Sequence, residues 1–135
     1  MRITKTALSL SLEMFERDNK DSRKEQYHYS FLFLRNKLMA YGVNNYELCR
    51  KSLYFAERFN IPQKKLFPSL HSECDVISKL WGKVFIDGKL KLVNTRISKA
   101  GNFGISKPCP DCMCMLSALG ITEIYWTLPD GSFSN

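Results

Sequence analysis

The chain has 135 residues, the length of one ordinary domain, and its 44% hydrophobic content with nine Phe and six Tyr is enough for a core. No apolar run reaches about 18 residues, which excludes a transmembrane helix. Lys and Arg outnumber Asp and Glu by 20 to 13, a net charge of +7. Such a chain attracts the phosphates of a nucleotide or a polynucleotide, although a solvated lysine-rich surface accounts for the charge equally well. We expect a single domain over residues 1–135 and no membrane partner.

The N-terminal segment is superficially like a signal peptide. Polar residues interrupt its apolar stretch, however, and no small-residue cleavage site precedes the charged run 17–20. The apolar residues recur at helical spacing instead. Residues 4–22 are therefore predicted to form an amphipathic helix with Leu8, Leu12 and Phe15 on one face, and we expect a cytoplasmic protein.

A hairpin is predicted next. Residues 27–34 are aromatic and apolar, as is typical of a strand. A two-residue turn at 35–36 and a second strand over 37–41, ended by Gly42, complete the hairpin. The broad apolar stripe of residues 46–59 then predicts a helix.

Helices and strands alternate in the second half of the chain. Ser72 is a candidate N-cap, with Asp75 three residues later as a weak form of the capping box. Pro110 suits the first position of a helix, and Gly120 suits its end. The predicted elements are a helix from 72 to about 81, a turn over 85–89, a strand over 90–97, a loop over 100–107, a helix over 110–119 and a strand over 121–127. This order predicts a mixed α/β layered domain.

Two short motifs carry chemistry, namely HSE over 71–73 and PCPDC over 108–112. Each opens a predicted helix, and a predicted strand lies between them. Five cysteines are an odd number, and three of them crowd six residues, which favours a metal site over a disulfide framework. Catalytic zinc takes three protein ligands and leaves its fourth position to water. His71, Cys109 and Cys112 are the predicted ligands of one Zn²⁺.

Glu73 is predicted to transfer protons and not to bind the metal. Two positions beyond His71 on the first turn of a helix, it can face the water on the metal, take a proton and return it to a leaving amine. Together the motifs form the H-x-E…P-C-x-x-C signature of zinc deaminases that act on cytosine or adenine. The alternative is a structural four-ligand zinc site formed by the two motif cysteines and two of the other candidate donors, Cys49, Cys74, Cys114 or His71. No second paired motif supports it.

With these motifs, the chain resembles the cytidine deaminase-like superfamily over most of residues 28–127. The segment SFLFLRNKLMAYGVNN is similar to the family's first hairpin, which ends in a Gly-x-Asn motif. LHSECDVI is similar to the helix that carries a zinc ligand and the glutamate. LKLVNTRISKAGNFGISKPCPDCMCMLSALGITEIYW is similar to the following strand, cysteine helix and strand. The resemblance implies a three-layer α/β fold in which helices flank a central mixed sheet of about four strands.

The resemblance also implies substrate contacts. It places Asn44 on the rim of the pocket, against the sugar or base, and Ser106 and Lys107 at the pocket mouth. Trp126 ends the last strand, where it could stack on a base. Tyr125 and Trp126 point to opposite faces, so only one of them would line the pocket. The alternatives are an exposed lysine at Lys107 and a core or interface aromatic at Trp126.

The chain departs from the family's pattern in two places. Glu73 and Cys109 are 36 residues apart, which is longer than in compact members, and the additional residues would lie in 81–89 or 98–107. Only eight residues follow Thr127, so the last helix and strand of many members look absent or rudimentary. The oligomeric state stays open.

Two substrate classes fit these features. The net charge and the basic residues Arg96, Lys99 and Lys107 around the cysteine loop favour cytosine in single-stranded DNA or RNA, converted to uracil, because a base must be unstacked to react. The alternative substrate is free cytidine, deoxycytidine or a monophosphate of either, with one phosphate for the basic residues to bind. A zinc-stabilised binding module without turnover is disfavoured, because Glu73 would have no structural purpose in it.

Overall fold

The computed structural model describes residues 1–20, 24–48, 54, 57–59, 69–83 and 86–135. Its helices and strands are α1 (Arg2–Asp18), β1 (Gln26–Leu34), β2 (Lys37–Val43), β3 (Asn45–Leu48), β4 (Ser69–Leu70), α2 (Ser72–Leu80), β5 (Leu90–Ser98), α3 (Pro110–Ala118), β6 (Glu123–Thr127) and β7 (Phe133–Ser134). The main sheet has the order β2-β1-β5-β6-β7. Strands β5 and β6 are parallel, and the other neighbours are antiparallel. A second, two-stranded sheet pairs β3 with β4.

The main sheet separates two apolar cores, because successive side chains of a strand point to opposite faces. On one face α1 packs against alternate residues of β1 and β5. On the other face α2 and α3 pack against the intervening residues of β1 and β5 and against β6. This is the predicted three-layer α/β arrangement around a mixed sheet. The sheet has five strands instead of about four, because part of the segment after Thr127 pairs with β6 as β7.

The apolar face predicted for α1 is wrong at Leu12, which is 44% exposed. The neighbouring Ser11 is fully buried in its place. Its hydroxyl contacts the Ala7 carbonyl (2.7 Å) and Thr95 Oγ1 (2.6 Å), so burial leaves no polar group unsatisfied. The helix starts two residues before the predicted span 4–22 and ends at residue 18. The last two positions of that span lie outside the described residues.

The hairpin of β1 and β2 forms as predicted around the turn at 35–36. Strand β2 does not end at Gly42, however, but continues to Val43. Gly42 stays in the strand because α2 packs directly on it. A Cβ there would collide with the Ser72 carbonyl oxygen and the Val76 backbone nitrogen. The lack of a side chain at Gly42 thus allows the first turn of α2 to pack closely against the sheet.

The helix predicted over 46–59 is wrong at its start. Residues 46–48 belong to β3, which pairs with β4. This tertiary pairing outweighs the local helical pattern, whose apolar residues start only at residue 48. Tyr54, Glu57 and Arg58 are helical, whereas positions 49–53, 55, 56 and the predicted loop 60–68 lie outside the described residues.

The second half of the chain follows the predicted order closely. The turn before β5 is stabilised by the Asp87 side chain, which accepts a hydrogen bond from the Lys89 N–H (2.9 Å). Strand β6 begins two residues later than predicted, at Glu123, after Gly120 has turned the chain with φ +81°. In the part of the chain that the structure describes, no helix has the length and apolar character needed to cross a membrane.

Candidate active site

The first turn of α2 brings a histidine and a glutamate to the same place. His71 is the N-cap, with φ −81° and ψ 151°, and Ser72 is the first helical residue. The prediction of Ser72 as N-cap is therefore wrong by one position. The Ser72 hydroxyl contacts Ser30 Oγ (2.7 Å) and donates to Glu73 Oε1 (3.1 Å). Asp75, the predicted partner in the capping box, accepts instead from a backbone N–H at the end of β2 (3.0 Å).

The first turn of α3 brings two cysteines to the site. Cys109 is the N-cap and Pro110 the first helical residue, as predicted, because proline has no N–H to leave unsatisfied there. The Cys112 N–H donates to Cys109 Sγ (3.5 Å), so one turn presents both sulfurs to the same side. Gly120 follows the last turn with a positive φ, as predicted for a helix end.

His71, Cys109 and Cys112 converge on one point. Their ligand atoms all lie within 4.8 Å of one another. His71 Nδ1 is 3.5 Å from Cys109 Sγ and 3.4 Å from Cys112 Sγ. Tetrahedral zinc, with Zn–S of about 2.3 Å and Zn–N of about 2.0–2.1 Å, separates its sulfur and nitrogen ligands by about 3.6 Å. The three side chains therefore fit one zinc ion, and they form the His-Cys-Cys set typical of catalytic zinc.

Within the described ranges, no other His, Cys, Asp or Glu joins this cluster. Cys74 and Cys114, both considered as structural ligands, lie outside it and form no disulfide. Cys49, the remaining candidate, lies outside the described residues. A set of three ligands leaves a coordination position open, which is typical of catalytic zinc and not of structural zinc.

The two ligand cysteines differ in their affinity for protons. The Cys112 thiol donates to the Cys109 sulfur, which also contacts His71, and together these contacts lower the pKa of Cys109 to about 3. The same thiol–sulfur hydrogen bond, together with burial, raises the pKa of Cys112. Cysteine binds zinc as the thiolate, so metal binding has to displace the Cys112 proton.

Glu73 lies inside the protein, 6% exposed, and burial raises the pKa of its carboxyl group. Asn94 Nδ2 donates to Glu73 Oε2 (3.0 Å), while the neighbouring serine holds the other oxygen. Asn94 is itself fixed, because it accepts from Ser30 Oγ (2.6 Å) and donates to the Ser106 carbonyl oxygen (3.1 Å). The charges of His71 and Cys109 also act on the carboxyl group. Glu73 therefore lies in a fixed orientation beside the ligand cluster.

Of the predicted substrate contacts, Ser106 and Lys107 shortly precede α3, and Trp126 lies on β6; their contact with a substrate stays a prediction. Ser106 is 3% exposed, and its hydroxyl donates to the Asn94 carbonyl oxygen (2.9 Å) and accepts from the Thr127 N–H (2.8 Å). Lys107 is exposed, with Nζ 5.4 Å from the centroid of the Trp126 ring. Trp126 packs against the core under α2 and α3. The preceding residue of β6 packs on the α1 side, so the prediction of opposite faces is confirmed.

The fourth predicted contact, Asn44, is 8% exposed. Its Oδ1 accepts from the His28 N–H (3.1 Å), and its Nδ2 donates to the Gln26 carbonyl oxygen (3.1 Å). The side chain thus joins the end of the hairpin to the start of β1. Its contact with a substrate stays a prediction.

Asn94 is a further residue of the site, which neither motif predicts. In β5 the residues Leu90, Leu92, Asn94 and Arg96 share one face, because side chains alternate along a strand. An apolar face that turns polar in the middle of a buried strand is a signal that could have identified it. Ser30, within the aromatic strand β1, carries the same signal.

Sequence comparison finds no matching family model and no matching curated protein, whereas comparison of structures finds similar folds. The dCMP deaminase of cyanophage S-TIM5 in apo form has a TM-score of 0.55 at 18% identity, over 93% of this chain and 82% of that chain. Its complex with dCMP and dUMP has a TM-score of 0.56 at 16% identity, over 93% and 81%. The chain has the cytidine deaminase fold. Cytidine deaminase from Mycobacterium leprae is also similar, with a TM-score of 0.50 at 16% identity, over 94% and 87%. The fold expected from the resemblance is thereby confirmed.

Proposed function

We propose that this protein is a zinc-dependent hydrolytic deaminase, one domain over residues 1–135, that converts cytosine to uracil in a free nucleoside or nucleotide, as a dCMP deaminase does. The observation that carries the proposal is the convergence of His71, Cys109 and Cys112 beside the buried carboxyl group of Glu73. This convergence occurs in a chain with the cytidine deaminase fold.

Metal binding and proton transfer are assigned to different side chains. His71, Cys109 and Cys112 would hold the zinc ion, which when bound supplies Lewis-acid activation of water. Glu73 accepts a proton from the attacking water and donates one to the leaving amine, so that the ring carbon exchanges nitrogen for oxygen and ammonia leaves. Burial raises the pKa of this carboxyl group, which favours its protonated form and suits a group that must return a proton. The hydrogen bond from Asn94 fixes the orientation of the carboxyl group during proton transfer.

The structural relatives favour the free substrate over the polynucleotide. The two are a dCMP deaminase and a cytidine deaminase, and the former was crystallised with dCMP and dUMP. Cytosine in single-stranded DNA or RNA, which the net charge of +7 favours, becomes the second candidate. The exposed Lys107 beside the Trp126 ring supports it, because strand-binding surfaces combine cations with aromatic rings. A cytoplasmic location stays a prediction from the N-terminal segment, which is unlike a signal peptide.

Turnover of defined substrates tests the proposal. Zinc-loaded protein is incubated with dCMP, deoxycytidine, cytidine and cytosine-containing single-stranded DNA and RNA, and uracil products are separated by chromatography. We expect uracil from the free substrates and none from the strands. Uracil from the strands alone would establish the second candidate, and no uracil from any substrate would contradict deamination of cytosine.

Variants of one carboxylate control this assay. Glu73→Gln is expected to keep the zinc and lose turnover, because the amide preserves the shape but cannot accept the proton. Glu123→Gln, the same change at an exposed carboxylate of β6, is the matched control and is expected to keep both. Turnover of Glu73→Gln at the wild-type rate would refute the role in proton transfer.

A further inference from the structure

Arg96 lies on the same face of β5 as Asn94, two residues further along the strand. In the sheet it is opposite His28 of β1. The His28 imidazole has its pKa lowered to about 4, mainly by burial, then by the charge of Arg96 and then by that of His71. Because Asn94 on this face donates to Glu73 (3.0 Å), Arg96 lies on the same side of the sheet as the candidate site.

The Arg96 side chain is held in place. Its Nε donates to Gln26 Oε1 (3.1 Å), and its Nη1 donates to the Ile105 carbonyl oxygen (3.4 Å). The stem packs against Gly104, where a Cβ would lie 3.1 Å from Arg96 Cδ. A long side chain that is already ordered loses little entropy when it binds a ligand.

No carboxylate in the described parts of the chain forms an ion pair with Arg96. The ion pairs found there are Arg17–Asp18, Lys79–Asp75 and Lys91–Glu123. Arginine has five N–H donors, and two of those on Arg96 have the partners named above. The remaining three, one on Nη1 and two on Nη2, can donate to the oxygens of a phosphate.

The Arg96 side chain is half-buried, and its surroundings leave the guanidinium group accessible. Ile105 is 54% exposed, and Tyr46, whose hydroxyl donates to the Gln26 carbonyl oxygen (3.3 Å), is 55% exposed. An ordered cation with open donors and no carboxylate partner is suited to an anionic ligand.

We propose that Arg96 binds a phosphate group of the substrate, next to the nucleoside that the site deaminates. The inference rests on the proposed function, because it assigns the phosphate to that function's substrate. The phosphate is that of a free nucleoside monophosphate or that of a strand, and both present the same pair of oxygens to the guanidinium group.

A comparison of substrates with and without phosphate tests this assignment. Arg96→Met removes the charge and keeps the length of the side chain. We expect it to lower kcat/KM for dCMP by about 10- to 150-fold, through KM, as for loss of hydrogen bonds to a charged group. Turnover of deoxycytidine should stay within about 3-fold of wild type, since it lacks the phosphate. Arg96→Lys should recover part of the loss. Lys89→Met, a comparable change at an exposed lysine of the turn before β5, should leave the turnover of both substrates unchanged.

Binding separates this inference from the proposed function. Calorimetry on zinc-loaded Glu73→Gln protein, with and without Arg96→Met, gives affinities for dCMP, deoxycytidine and a single-stranded oligonucleotide without any turnover. Weaker binding of dCMP identifies the free monophosphate as the source. Weaker binding of the oligonucleotide alone identifies the strand. Equal losses for dCMP and deoxycytidine, or no loss for either phosphate ligand, would overturn the assignment even in an active deaminase.

Discussion

Asn94 offers the sharpest test of how the site works, because it touches the proposed proton carrier and no metal ligand. Its Nδ2 donates to Glu73 Oε2 at 3.0 Å, and the Ser72 hydroxyl holds the other oxygen at 3.1 Å. In Asn94→Ala the carboxyl group keeps one of these two donors and gains room to rotate. We therefore expect turnover to fall while zinc stays bound.

The size of the effect follows from the lost contact. A hydrogen bond to a charged group is worth about 1.5–3 kcal/mol, and about 1.4 kcal/mol corresponds to a tenfold change in rate. The expected loss in kcat for Asn94→Ala is therefore about 10- to 150-fold, with KM near the wild-type value. Steady-state assays with dCMP measure both constants, and metal analysis of the purified variant measures zinc.

Thr95→Val is the matched control. Thr95 is the next residue of β5, is also fully buried, and its hydroxyl lies 2.6 Å from Ser11 Oγ on the α1 side of the sheet. Its loss should lower the melting temperature without changing kcat. If Asn94→Ala keeps kcat within about 3-fold of wild type, or if both variants lose turnover equally, Asn94 does not position Glu73.

Three further predictions concern stability and metal binding. The folded state holds the pKa of His28 near 4, against about 6.5 in the unfolded chain, so the unfolded chain takes up the proton first and stability is lost as pH falls. The loss amounts to about 2 kcal/mol at pH 5, and urea titrations should show the pH slope reduced in His28→Asn. Gly42→Ala should destabilise the fold by about 3 kcal/mol or prevent folding, because its methyl group meets the backbone of α2; a melting temperature equal to that of wild type would contradict the packing described. Cys112→Ser should lose zinc and become insensitive to chelator, whereas Cys114→Ser, at an exposed position of the same helix, should keep zinc. Metal analysis and melting curves with and without EDTA decide between the two outcomes.

The parts of the fold that depend on local signals could be predicted from the sequence. The turn at 35–36, the proline at the start of α3 and the glycine after it act through backbone geometry within a few residues. The two motifs share this property, since each places its ligands within one helical turn. The convergence of His71 with Cys109 and Cys112 required in addition that both helix starts meet at the same edge of the sheet, which the family resemblance implied.

The parts that depend on tertiary contacts could not be predicted. Ser11 is buried in α1 because Thr95, far along the chain, satisfies its hydroxyl. Residues 46–48 are a strand because β4 pairs with them. Asn94 acquires its role from Glu73 and Ser106, and nothing in its sequence neighbourhood indicates either partner. In each case the partner is distant in the sequence, and periodicity does not identify it.

The loop between β5 and α3 ties the separate parts of the site together. Its first residues turn back along the strand, where the Gly104 N–H donates to the Arg96 carbonyl oxygen (3.1 Å). Gly104 covers the Arg96 stem, while Ser106 accepts from Asn94 and is bonded to Thr127 of β6. The same short segment thus positions both Arg96, which we propose to bind the phosphate, and Asn94, which orients Glu73. The metal ligands depend on it less, because two of them lie on the first turn of α3 and the third on α2. Changes at Gly104 and Ser106 should therefore alter substrate recognition and proton transfer while leaving the affinity for zinc intact.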